Sequence, residues 1–367
     1  MKTYEYRLRP TKHQEQKLHA MLWLTKNLYN TGLEELVEHY KKTGKHLNRF
    51  SHDKLHNKKT DPDLPAVLVD TTVARLHASF ANFFRGIKTG KKVGFPRFRS
   101  IHRWNSVEFR DAGNYIEWSH FHSGKAFAGN IKIIKHRGME GIFKHARIIK
   151  RPSGWYLQCV CDVPVPTKKR GESVIGLDFG LKSLVADSNG TITENDKTLQ
   201  SQLKKLRRAQ RKVSRRVKGS HRRKKAVHDL ARLYERIHQR RKDYLHKVSR
   251  TITDTFGTIF LEDLQITNMV KNHHLALSIS DASWGMLRQF LTYKAEYAGG
   301  QVIAVAPHYT SQQCSNCGEM VDKSLSVRTH LCSSCGYCDD RDVNAAKNIL
   351  RLGLSLHPLS NATASFG

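Results

Sequence analysis

Residues 4 to 9 alternate between apolar and polar, with Tyr4, Tyr6 and Leu8 on one face, and Pro10 ends the run. A period of two closed by proline predicts a short strand followed by a turn. From Lys12 to Lys42 the period becomes helical. After the loop Asp61-Pro62-Asp63-Leu64-Pro65, the residues Val69, Val73, Leu76, Phe80, Phe83, Phe84 and Ile87 recur every three or four positions, which predicts a second helix with a core-facing stripe. Beyond Lys91-Lys92-Val93-Gly94-Phe95-Pro96-Arg97-Phe98-Arg99, strand-like segments near 106–109, 131–136, 146–151 and 155–163 are separated by Gly, Ser and Asn. They predict a small barrel-like β-domain that the N-terminal strand completes.

Pro164, Pro166 and Lys168-Lys169-Arg170-Gly171 mark a boundary. Beyond it, Ser173–Asp178, Ser183–Asp187 and Thr191–Thr193 predict three consecutive strands. A long helical hairpin follows, broken near Gly219-Ser220, with Ala226, Val227, Leu230, Leu233, Ile237, Tyr244 and Val248 as its apolar stripe. Strands return at Thr258–Leu261 and Gln301–Ala306. That order of elements is the order of an RNase H-like fold. Residues 355–367 are mostly small and polar, the composition of a disordered tail.

Charge narrows the function. Lys and Arg number 63 against 32 acidic residues, a net +31, which calls for a polyanionic partner. Residues 201–250 hold 20 Lys and Arg against three acids, so this hairpin carries +17 of the total. Like charges four apart on a helix repel, and anions relieve that cost. Lys204, Lys205, Arg207, Arg208, Arg211, Arg215, Arg222 and Arg223 are therefore candidate phosphate contacts, with Lys92, Arg97 and Arg99 in the first half. No apolar run reaches the roughly 18 residues of a membrane span, and the N-terminus lacks a signal-peptide layout. These features predict a soluble cytoplasmic protein associated with the nucleoid through DNA.

Two constellations carry chemistry. Cys314-Ser315-Asn316-Cys317 and Cys332-Ser333-Ser334-Cys335 are separated by 14 residues, and Gly318 and Gly336 permit a tight turn after each pair. Two Cys-x-x-Cys pairs at this spacing predict a tetrahedral zinc ribbon, with His308, His330 and Cys338 as nearby competitors that four thiolates make unnecessary. The second constellation is acidic. Asp178 ends the apolar run Val174-Ile175-Gly176-Leu177, and Glu262 ends Ile259-Phe260-Leu261. Asp342 shares a helical face with Ala345, Ala346 and Ile349, while Asp340 suits the cap of that helix. Carboxylates at apolar strand ends are costly unless a cation meets them, and three of them suit a pair of Mg²⁺ or Mn²⁺ ions.

The motifs Ile175-Gly176-Leu177-Asp178-Phe179-Gly180, Leu261-Glu262-Asp263-Leu264, Ala276–Gly285, the four-cysteine ribbon and Arg341-Asp342-Val343-Asn344-Ala345-Ala346 resemble those of the TnpB proteins of insertion sequences, relatives of the type V CRISPR nucleases. Gly94-Phe95-Pro96-Arg97-Phe98 resembles a further marker of that family. The resemblance implies an α+β multidomain protein. Its parts would be a β-barrel-like wedge domain (1–10 and 101–168), an inserted helical recognition domain (11–100), an RNase H-like (RuvC) nuclease domain (169–307 and 339–354) and a zinc ribbon (308–338). It also implies a guide RNA from the transposon end, double-stranded target DNA with a short adjacent motif, the helical segment around Asp70–Leu76 as a candidate reader of DNA bases, and catalysis by Asp178, Glu262 and Asp342 in a monomeric ribonucleoprotein.

Two rivals stand beside a guided endonuclease. One is a guided DNA-binding regulator without cleavage, against which the three intact acids argue. The other is a single-strand transposase using the His120-Phe121-His122 pair with Tyr234 or Tyr244 as nucleophile. Trp118-Ser119-His120-Phe121-His122-Ser123-Gly124 reads as an exposed loop, which argues against it. Gly86–Lys92 lacks the Ser or Thr of a P-loop, and Cys159 and Cys161 alternate as strand core residues.

Overall fold

A computed structural model describes residues 1–58, 64–110, 116–117, 119–122, 128–164, 173–307, 309–324 and 327–357. The chain forms two compact units, Met1–Pro164 and Val165–Gly367. The expected loop at 61–63, the boundary residues 166–171, His308 and the tail from 358 onward lie outside the described residues.

In the first unit the N-terminal alternation becomes β1 (Lys2–Arg9), whose Tyr4, Tyr6 and Leu8 are buried to within a few per cent. It is followed by α1 (Lys12–Thr43), α2 (Arg49–Lys58) and α3 (Ala66–Lys88). A capping box starts α1, with the Thr11 hydroxyl accepting from the Gln14 amide and the Gln14 side chain accepting from the Thr11 amide. The strands are β2 (Ser106–Arg110), β3 (Ile116–Glu117), β4 (His120–His122), β5 (Asn130–Ile134), β6 (Ile142–Arg151) and β7 (Gly154–Asp162). All pair antiparallel in the order β2-β6-β7-β1-β5-β4-β3, an open half-barrel with β1 at its centre. One core joins the sheet to α1 and α3 through Leu18, Met21, Leu68, Leu76, Phe109, Ile148 and Leu157.

His120-Phe121-His122 corrects the sequence reading: the segment is strand β4, not an exposed loop. It pairs with β5 (His120↔Lys132, His122↔Asn130), and Phe121 is fully buried against Phe109. The residues around it are rich in Ser and Gly, so the local pattern reads as a turn, and pairing with a neighbour overrides it.

The second unit contains β8 (Val174–Phe179), β9 (Ser183–Asp187), β10 (Ile192–Glu194), α4 (Thr198–Ser214), α5 (His221–Thr255), β11 (Thr258–Glu262), α6 (Ile266–Met269), α7 (Ala276–Ala282), α8 (Trp284–Tyr297) and β12 (Gln301–Val305). The small hairpin β13 (Thr329–Leu331) and β14 (Cys338–Asp340) precedes α9 (Arg341–Leu356), so helix continues two residues into the expected tail. The sheet runs β10-β9-β8-β11-β12, antiparallel through β8 and parallel from β8 to β12. α9 lies directly on β8: a side chain at Gly176 would collide with the Ala346 carbonyl, and one at Gly353 would collide with the Phe260 ring. Small residues on both elements therefore set how closely the Asp342 helix approaches the strand that carries Asp178.

The basic hairpin α4–α5 is fastened by Asp281 of α7, which is 3% exposed. Its two carboxylate oxygens accept from the amides of Leu199 and Gln200 in the first turn of α4, at 2.8 and 3.0 Å, and one also accepts from Arg241 of α5 at 2.9 Å. An anion at a helix N-terminus meets both orphan amides and the helix dipole. Replacing it leaves Arg241 half-buried and unpaired, so Asp281→Ala is expected to cost about 3–5 kcal/mol in urea denaturation of the second unit.

Candidate metal and nuclease centre

Parallel pairing of β8 and β11 sets Leu177 beside Leu261, so Asp178 and Glu262 follow at the same carboxyl-terminal edge. Ligand sites in open sheets gather at that edge. Asp340 caps α9, its Oδ1 accepting from the amides of Asp342 and Val343 at 2.8 and 3.3 Å. Asp342 in the first turn then reaches the same edge, where its Oδ2 accepts from the Ser183 hydroxyl at 3.1 Å and its Oδ1 lies 3.5 Å from Arg328.

Electrostatics tie the three acids together. Burial pushes the Asp178 carboxyl up to about 8, and the like charges of Glu262 and Asp342 add to the shift, with Arg341 opposing. Burial also raises Glu262, while a hydrogen bond from the Thr310 hydroxyl lowers it. A cation between these groups would remove the repulsion and favour all three charged forms. Among the described residues, only the four ribbon cysteines bring three or more ligand atoms within 4.8 Å of one another. The three carboxylates do not form so tight a group.

In the ribbon, Cys314 Sγ lies 3.8 Å from Cys335 Sγ, and Cys317 Sγ lies 3.6 Å from Cys332 Sγ. Ligands about 2.3 Å from a tetrahedral zinc are separated by roughly 3.8 Å, so the donor set fits that ion. The backbone amide of Tyr337 faces Cys335 and holds its thiol down to about 6. Cys317 faces the Glu319 amide yet is pushed up to about 12, its cysteine neighbours being the main opposing influence. His330 is buried beside Lys323, outside the sulfur cluster, and Cys338 is exposed on β14.

Sequence reasoning missed the link between ribbon and acids. Asn344 and Asn348, one turn apart on the buried face of α9, donate to the Gln313 carbonyl at 2.8 and 2.6 Å. Asn344 also accepts from the Ser315 amide at 2.9 Å, and Asn348 donates to the Thr310 carbonyl at 2.8 Å. Thr310 then holds Glu262 through its hydroxyl. The signal available in sequence was two asparagines at i and i+4 on an otherwise apolar helix face.

Of the cations proposed from sequence, Lys204, Arg208, Arg211 and Arg215 line one cleft of α4 together with Lys212 and Arg216. Lys205, Arg207 and Arg222 are exposed on the same hairpin, as are Lys92, Arg97 and Arg99 in the first unit. Arg223 differs. It is half-buried and donates to the carbonyls of Val213 and Arg216 at 2.8 and 3.1 Å, closing the hairpin turn. The tyrosines of the transposase reading are also engaged: Tyr234 accepts from Gln210, and Tyr244 donates to the Glu194 carbonyl.

Comparison with known proteins gives three family matches: "Probable transposase" over residues 158–273, "Cas12f1-like, TNB domain" over 284–349, and "Helix-turn-helix domain" over 1–45, a stretch that here forms β1 and one unbroken helix. A putative RNA-guided DNA endonuclease of Streptomyces pristinaespiralis is 31% identical over 96% of this chain and 90% of its own length. The putative RNA-guided DNA endonuclease InsQ of Escherichia coli is 29% identical over 96% and 92%. The Cas12f1 endodeoxyribonuclease of Sulfoacidibacillus thermotolerans is 30% identical over 54% of this chain and 50% of that protein. A solved Cas12f1–sgRNA–target DNA complex covers 95% of this chain and 98% of its own at a TM-score of 0.38 and 17% identity, a likeness too loose to carry an argument. No helix among the described residues is long and apolar enough to cross a membrane.

Proposed function

The chain belongs to the TnpB family of RNA-guided DNA endonucleases, relatives of Cas12f1, and on that premise we propose that it cuts DNA with Asp178, Glu262 and Asp342. The observation that carries this assignment is the meeting of the three acids at one sheet edge, where burial and mutual repulsion leave Asp178 in want of a cation. Asp178, Glu262 and Asp342 would hold Mg²⁺ or Mn²⁺, which when bound would supply water activation and neutralise charge on the leaving oxygen. The chain's own contribution is position. Ser183 and Arg328 orient Asp342, and Thr310 orients Glu262.

The second unit is then an RNase H-like (RuvC) nuclease with its ribbon between β12 and α9. The first unit then supplies the wedge-like half-barrel, built on β1 and β2–β7, with helical recognition elements α1–α3. The α4 cleft follows the phosphates of a guide–target heteroduplex, which proteins of this kind grip by its backbone. The guide comes from the transposon end, the target carries a short adjacent motif, and the complex is a monomeric ribonucleoprotein. Guided plasmid cleavage by the carboxylate variants is the deciding experiment.

The ribbon holds one Zn²⁺ through Cys314, Cys317, Cys332 and Cys335. Elemental analysis is expected to give about one zinc per chain, and Cys332→Ser is expected to release it and lower the thermal midpoint of the second unit. Because the Thr310–Gln313 loop enters the ribbon, the same variant should also weaken cleavage. Native protein free of zinc, with the ribbon intact, would eliminate this assignment.

A further inference from the structure

The last turns of α3 and the segment after it expose aromatic rings among cations. Phe84, Phe95 and Phe98 are 47, 49 and 64% exposed, and Ile87 is 56% exposed. Between 85 and 99 stand Arg85, Lys88, Lys91, Lys92, Arg97 and Arg99, with no acidic residue. The segment is held in place. Val93 packs into the space left by the missing side chain of Gly86. Phe95 sets edge-on to Phe80 and Phe83 at centroid distances of 5.4 and 5.3 Å. Asn30 clamps the Arg99 backbone, donating to its carbonyl at 3.0 Å and accepting from its amide at 2.8 Å.

Exposed rings on an anchored segment mark an interaction surface, and the uniformly positive charge of residues 85–99 selects an anion as the partner. Ring faces accept bases only where those bases are unpaired, since a duplex already stacks its own. We propose that this surface is a stacking platform for unpaired nucleotides of the guide RNA, with Phe95 and Phe98 taking bases and Lys92 and Arg97 the adjoining phosphates. The proposal rests on the guided reading above. RNA is favoured over target DNA because the target arrives as a duplex and its target strand then pairs with the guide, whereas a folded RNA keeps unpaired bases in its loops.

The test uses the full chain and a uridine-rich single-stranded RNA carrying one 2-aminopurine, whose emission changes when its base stacks. Phe98→Ala is expected to weaken binding about tenfold and to abolish the emission change. The salt slope should be unchanged, because a ring releases no counterions. Phe98→Trp should preserve both signals, and equal thermal midpoints would show that the folds match. Arg97→Ala should instead flatten the salt slope. Wild-type affinity and emission in Phe98→Ala would overturn the platform alone, as would a defect confined to duplex DNA. A wild type that takes up no RNA at all would overturn the guided reading along with it.

Discussion

Asp178→Ala, Glu262→Ala and Asp342→Ala are each expected to abolish guided cleavage of plasmid DNA while leaving target binding intact. Each acid reaches the sheet edge from a different element, so none can substitute for another: Asp178 from β8, Glu262 from β11 and Asp342 from the first turn of α9. Removing one positioned electrostatic group from a site of this kind costs roughly 10²–10³-fold or more. Binding survives because base pairing and backbone contacts hold the target elsewhere. Thr310→Val tests the positioning directly. It removes one hydrogen bond to a charged group, worth about 1.5–3 kcal/mol, and is expected to raise the Mg²⁺ concentration needed for half-maximal cutting, with Thr310→Ser restoring it. His120→Ala with His122→Ala should cut normally. Full activity in Asp342→Ala together with loss in the histidine double variant would reverse the assignment.

The second large effect concerns the α4 cleft. In Arg208→Ala/Arg211→Ala/Arg215→Ala, three neighbouring cations are lost from one phosphate-tracking surface. The plot of log affinity against log salt is expected to flatten by about 2 to 3, at roughly 0.7–0.9 per lost phosphate contact, with affinity falling alike for all sequences. Arg223→Ala separates this from mere structural damage. Its guanidinium closes the hairpin turn, so the variant should lose thermal stability while keeping nearly the wild-type salt slope. An unchanged slope in the triple variant would remove the cleft from the nucleic-acid path.

Features legible in the chain alone are those that a short window of residues encodes. Period two marked β1 and period near 3.6 marked α1 and α3, because side-chain direction repeats locally. The cysteine pairs declared their cluster because two residues of spacing already bring both sulfurs to one ion. Asp178 and Glu262 were legible as carboxylates closing apolar runs. The remaining features depend on segments distant in sequence. The polar helix α2 has no apolar stripe to announce it; buried His52 fastens it through His77 of α3 and Glu35 of α1, at 3.0 and 3.2 Å. Strand β4 is three residues long and exists by pairing with β5. Asp281 and Arg223, each unremarkable in sequence, hold the basic hairpin together, and Asn348 reaches Thr310 across 38 residues to fix the loop that orients Glu262. Periodicity is a property of neighbours along the chain, whereas the partner of a buried polar group is chosen only when distant segments meet, because only then does water leave and the hydrogen bond become obligatory.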